Sequence, residues 1–104
     1  MEAGLILVVD DEIPVRSALQ STLSIFGFTI VEAGSGEEAV SLLHTHSFDA
    51  VLLDINMPGI SGIETCKRMR QLSPHLPILI LTVRDGEDDA IRTGAGDGGD
   101  AQTI

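Results

Sequence analysis

Three apolar runs of this 104-residue chain each end on oxygen-bearing side chains. LILVV (5–9) runs into Asp10-Asp11-Glu12, AVLLD (50–54) ends on Asp54 with Asn56 two positions further, and ILILT (78–82) ends on Thr82. Carboxylates brought together repel and retain one another's protons unless a cation joins them. Hard oxygen ligands with room for water suit Mg²⁺, with Mn²⁺ the alternative. A cation held by two carboxylates keeps coordination positions for a phosphate oxygen. A carboxylate beside it can attack phosphorus, since aspartates form aspartyl phosphates. Thr82 would donate its hydroxyl to a phosphoryl oxygen.

These side chains converge only if the runs are neighbouring parallel strands, roughly 4.8 Å apart, with the site outside their carboxyl ends. The chain alternates as that requires. LILVV reads as a strand covered on both faces. From Pro14 the period changes, and Val15, Ala18, Leu19, Thr22, Leu23 and Phe26 share one helical face that Gly27 terminates. TIVEA (29–33) is a short strand. Ser35 and Glu38 form an S-x-x-E capping box before the stripe Ala39, Leu42, Leu43. AVLLD is the third strand. A helix from Ser61 towards Leu72 follows, with Ile63, Cys66, Met69 and Leu72 facing inward, and Pro74 and Pro77 bracket its exit. ILILT is the fourth strand, and 85–92 would begin a fourth helix. The last residues, TGAGDGGDAQTI, offer little to pack, and only 101–104 would make a poor, short strand. Strand–helix alternation with short links predicts βαβ units and a parallel sheet.

Composition narrows the class. Sixteen acids against six bases give a formal net charge of −10, which disfavours autonomous binding to nucleic acid or an anionic membrane. An apolar content of 43 % supplies one core. No stretch is long and apolar enough to span a bilayer, and 1–12 lacks the basic flank of a signal peptide. Cys66 is the single cysteine, so no internal disulfide forms, in keeping with a reducing, cytoplasmic compartment.

Together, LVVDDE, VLLDINMPG and ILILT resemble the receiver domain of bacterial two-component response regulators, in register over about 5–92. The resemblance implies an α/β, flavodoxin-like doubly wound parallel sheet in the order 2-1-3-4-5. It also implies a signalling phosphoacceptor rather than a turnover enzyme. Asp54 would take the phosphoryl group from a histidine kinase or phosphotransfer protein. Asp10, Asp11, Asp54 and the Asn56 backbone carbonyl would hold Mg²⁺. Thr82 would be the switch hydroxyl, and Pro58 and Gly59 would shape the loop after the third strand.

The chain also departs from the family. A receiver carries a lysine at the end of strand five, yet the single lysine here is Lys67, in the third helix. There is no Tyr or Trp, and Phe26, Phe28 and Phe48 precede the region where a switch aromatic would lie. Strand five and helix five are expected to be absent or degraded. That divides the chain into an incomplete receiver (1–92) and an atypical Gly/Asp-rich tail (93–104). Mg²⁺ binding with weak phosphorylation or readout is expected, together with an exposed fourth-strand edge and a homodimer or segment-exchanged oligomer. The alternative function is a degenerate receiver acting as a phosphorylation-independent interaction or dimerisation module. An aspartate-nucleophile phosphohydrolase is disfavoured because Asn56 stands where a second Asp would act as acid and base.

Each residue also has a structural explanation. Acids before a helix are stabilised by its dipole, Asp54 and Asn56 suit a turn, and Thr82 is ordinary strand content. It is their coincidence at the ends of three strands that favours a site. Ser35 and Glu38 are read as capping only, Cys66 as core, and His44, His46 and His75 as solvated. Gly34 and Gly36 lack dinucleotide-binding spacing.

Overall fold

A computed structural model describes residues 3–57, 59–81 and 101–103. Pro58, Thr82 and the helix expected at 85–92 therefore lie outside the described residues. The apolar runs form strands β1 (Gly4–Val9), β2 (Phe28–Ala33), β3 (Ala50–Asp54) and β4 (Ile78–Leu81), and a short β5 spans Ala101–Thr103. All pair in parallel, in the order β2-β1-β3-β4-β5. The first four strands fall where the sequence places them, within a residue at either end. β5 is degraded in length, yet it pairs Ala101–Thr103 with Ile78–Ile80. β4 is therefore no open edge over those residues, contrary to expectation. Hydrogen bonding to a neighbouring strand needs only backbone, so even a poor sequence suffices.

Three helices connect the strands: α1 (Ile13–Ile25), α2 (Gly36–Leu43) and α3 (Gly62–Leu72). Gly27, at φ +94°, closes α1 as expected. Ser35 Oγ accepts from the Glu38 amide at 3.1 Å, and Ser61 Oγ from the Glu64 amide at 3.0 Å. These bonds satisfy N–H groups that the first turn of a helix leaves unpaired. The Glu38 carboxylate reaches Gly34 N–H at 2.8 Å, one residue before the position a standard capping box would use. None of these helices is long and apolar enough to cross a membrane.

The core lies between the sheet and α2 and α3. Leu7, Val9, Val51, Leu53, Ile78 and Ile80 point into it from three adjacent strands and meet Ala39, Cys66 and Met69. Cys66 is core, as expected. The inward face of α3 is rotated from the predicted one: Gly62, Thr65, Cys66 and Met69 are buried, while Ile63 and Leu72 are 41 % and 43 % exposed. Small residues drive the rotation. A Cβ on Gly62 would collide with Ile55 Cα, and one on Gly36 with Thr65 Oγ1. Thr65 is buried without an unmet polar group, because its hydroxyl donates to the Ser61 carbonyl at 2.9 Å.

α1 packs across β1 and β2, where Ile6 and Val8 are buried. Its contact face is narrower than predicted. Val15, Leu19 and Leu23 are half-buried, whereas Ala18, Thr22 and Phe26 are exposed. On the same sheet face Leu52, Leu79 and Leu81 are half-buried.

Candidate functional site

β1 and β3 are neighbours in the sheet, and their register pairs Val9 with Leu53. The next step up each chain reaches Asp10 and Asp54, which therefore sit side by side at the carboxyl edge. Chain connections leave this point in opposite directions, β1 running through α1 to β2 and β3 through α3 to β4. Such a switch point is where open α/β sheets form their crevice. A cavity of about 380 Å³ opens there, lined by Asp10, Asp11, Glu12, Val15, Asp54, Asn56 and Leu81. Ligand oxygens of Asp10, Asp11 and Asp54 all lie within 4.8 Å of one another.

Local hydrogen bonds aim these groups. Asp10 Oδ1 accepts from the Glu12 amide at 2.9 Å, which curls the chain into α1, and the Asp10 amide donates to the Ala33 carbonyl at 3.0 Å. Asp54 Oδ1 accepts from the Asn56 amide at 2.9 Å, a turn that fixes the rotation of the carboxyl group. Asp10 is buried, Asp54 half-buried and Asp11 exposed.

Burial pushes the Asp10 carboxyl above its ordinary value. The Glu12 amide opposes this, Asp54 and Asp11 raise it further, and Arg16 pulls it down. Asp54 is likewise raised, first by burial, then against the Asn56 amide by the charges of Asp11 and Glu12. Among the described residues the cationic influence on the pair comes from Arg16, which acts on Asp10 and does not offset the burial. The donors are all oxygen, the cavity has room for water, and the excess charge is negative. That set fits a hard divalent cation and not a soft one.

Asp10, Asp11, Asp54 and Asn56 are thus brought together. Thr82, the residue after Leu81 in the sequence, lies outside the described residues. Among the described residues, Glu12, Val15 and Leu81 also line the cavity. Arg16 was not singled out by the sequence, although its Nη1 donates to the Asp10 carbonyl at 2.7 Å. The available signal was its place as the lone charged residue of α1, six positions after Asp10. His44, His46 and His75 are exposed; His46 stacks on Phe48 at 5.3 Å between ring centroids. Lys67 is exposed on α3.

The sheet order and the acidic switch point define a flavodoxin-like α/β domain with a cation-attracting site at its carboxyl edge. The chain belongs to the response regulator receiver domain family, which it matches over residues 6–98. It is 42 % identical over 86 residues to the response regulator MprA of Mycolicibacterium vanbaalenii, an alignment covering 83 % of this chain and 37 % of MprA. The chain thus spans little more than a third of the length of such relatives. Among solved structures it resembles the response regulator TrrA of Thermotoga maritima in complex with Mg²⁺-BeF. The TM-score is 0.75 at 40 % identity, covering 82 % of this chain and 72 % of that one. A structure of the histidine kinase ThkA in complex with TrrA matches at a TM-score of 0.73 and 38 % identity, covering 86 % of this chain and 78 % of that one.

Proposed function

We propose that this receiver domain is a phosphoacceptor of a two-component phosphorelay, taking a phosphoryl group onto Asp54 from the phosphohistidine of a kinase or phosphotransfer protein. The observation that carries the reading is the convergence of Asp10, Asp11 and Asp54 oxygens within 4.8 Å at the switch point. An Asp54 carboxylate oxygen attacks phosphorus, the phosphorus–nitrogen bond breaks, and the imidazole leaves and takes its proton from solvent. The product is an acyl phosphate on Asp54. The Asn56 amide holds the carboxyl rotation through the attack. Thr82 would donate its hydroxyl to a phosphoryl oxygen. Asp10, Asp11, Asp54 and the Asn56 carbonyl would hold Mg²⁺, or Mn²⁺ in its place, and the cation supplies charge neutralisation for the phosphoryl oxygens.

What supports a kinase partner is the resemblance to TrrA, which was solved in complex with the histidine kinase ThkA. Autophosphorylation from a small phosphodonor and slow self-dephosphorylation are the chemistry expected of the domain, in a cytoplasmic setting. With Lys67 on α3 the single lysine of these 104 residues, slow formation of the acyl phosphate is expected.

A second reading, a phosphorylation-independent dimerisation module, is favoured by the half-buried Leu52, Leu79 and Leu81 and by the exposed Phe26. Mg²⁺-dependent binding of beryllofluoride separates the two. A phosphoacceptor binds it, whereas a degenerate module does not.

A further inference from the structure

The proposed chemistry leaves Arg16 without a role, yet its surroundings are specific. Its side chain is only 16 % exposed. From α1, Nη1 donates to the Asp10 backbone carbonyl at 2.7 Å, while Nε donates to Glu32 Oε1 on β2 at 3.0 Å. The same guanidinium fills the space beside Gly34, where a Cβ would stand 3.2 Å from Nη1. The amide of Asp10 bonds to the Ala33 carbonyl on the other side of that residue. Asp10 is thereby gripped at both its amide and its carbonyl, with one planar donor group bridging α1, the β1–α1 loop and β2. Such a fork is rigid, and a lysine cannot reproduce two donor directions at once.

We propose that Arg16 is a positioning residue of the acidic site, holding the Asp10 peptide through Glu32-braced hydrogen bonds so that Asp10 and Asp11 face Asp54. This rests on reading the carboxylate cluster as a divalent-cation site. Arg16 touches no ligand oxygen of the cluster; it acts through the backbone that carries one. The sign of its effect separates this role from simple electrostatics. Removing a nearby positive charge makes the cluster more negative, and charge alone would then tighten cation binding. Losing the brace does the reverse. Partners that orient a metal's ligands characteristically change affinity by about 10- to 100-fold when lost.

The test is a calorimetric Mg²⁺ titration of the full chain as wild type, Arg16→Met, Arg16→Lys and Glu32→Gln. It is paired with hydrogen exchange of the Glu12 amide in metal-free protein, because that amide bonds the Asp10 carboxylate. Methionine keeps the apolar stem and removes the donors. The expected result is about tenfold weaker Mg²⁺ binding in Arg16→Met, weakening in Arg16→Lys despite its retained charge, and a smaller loss in Glu32→Gln. Glu12 amide exchange should be faster in all three. Unchanged or tighter Mg²⁺ binding by folded Arg16→Met overturns the proposal while leaving the cation site standing. A wild type that binds no Mg²⁺ overturns the cation site, and unchanged Glu12 exchange in the variants then overturns the brace as well. Should Arg16→Met fail to fold, Glu32→Gln decides: unaltered affinity and exchange overturn the proposal.

Discussion

Asp10 and Asp54 leave adjacent parallel strands at the same level, one residue past the Val9–Leu53 pair. Both are shifted towards the protonated state, chiefly by burial. Ionising both therefore costs the fold free energy that a proton, or a cation bound between them, would offset. The main consequences are set by that pair.

Stability of the metal-free protein should rise as pH falls through the folded pKa values of Asp10 and Asp54. Both carboxyls have folded pKa values raised above their unfolded value of 3.8, so the folded state binds more protons than the unfolded state between those limits. Their stabilising contribution is complete below the unfolded pKa and is lost as pH rises through the folded values. Thermal melts in chelator should show the negative slope, and Asp54→Asn should flatten it. Saturating Mg²⁺ should raise the melting temperature at neutral pH in the wild type, with a much smaller rise in Asp54→Asn. A wild-type melting temperature indifferent to Mg²⁺ would contradict the site.

Gly62→Ala should destabilise the fold by about 1–3 kcal/mol, the usual range for overpacking. Helix propensity would oppose this by at most about 1 kcal/mol, the value for a helix interior, since Gly62 is the first residue of α3. The collision wins because the added Cβ meets the Ile55 backbone, which no rotamer change can move aside. Urea denaturation decides by the sign of the change in midpoint.

Leu53 is fully buried in the shared core, directly before Asp54. Leu53→Ala should cost about 2–5 kcal/mol, a large share of the stability of a domain this size. Denaturation monitored by circular dichroism checks it. A loss below about 1 kcal/mol would mean that the strand delivering Asp54 is not packed as described.

Leu52, Leu79 and Leu81, half-buried on the α1 face of the sheet, lead us to expect self-association of this chain. Light scattering should give a mass that climbs with concentration. A constant monomer mass at high concentration would count against it.

The strands and the carboxylate pair were legible in the sequence because a strand buried on both faces writes a continuous apolar run, and the run's end marks the sheet edge. The Ser35–Glu38 cap was equally local, since a cap needs only neighbours. What failed was knowledge of what lies opposite. Phe26 falls on the apolar stripe of α1, yet it is 68 % exposed. On α3, Gly62 and Thr65 replace Ile63 and Leu72 at the interface because close approach to Ile55 and Gly36 depends on tertiary fit. The pairing of β5 with β4 joins segments more than twenty positions apart, and its residues lack strand character. Arg16 stayed hidden because one partner is a backbone carbonyl and the other, Glu32, lies 16 residues away.

Intact-mass analysis after incubation with acetyl phosphate tests the central claim most directly. The account predicts addition of a single phosphoryl group that requires Mg²⁺, is lost in Asp54→Asn, and accumulates slowly. Addition that survives either Mg²⁺ removal or Asp54→Asn, or no addition at all, would contradict it.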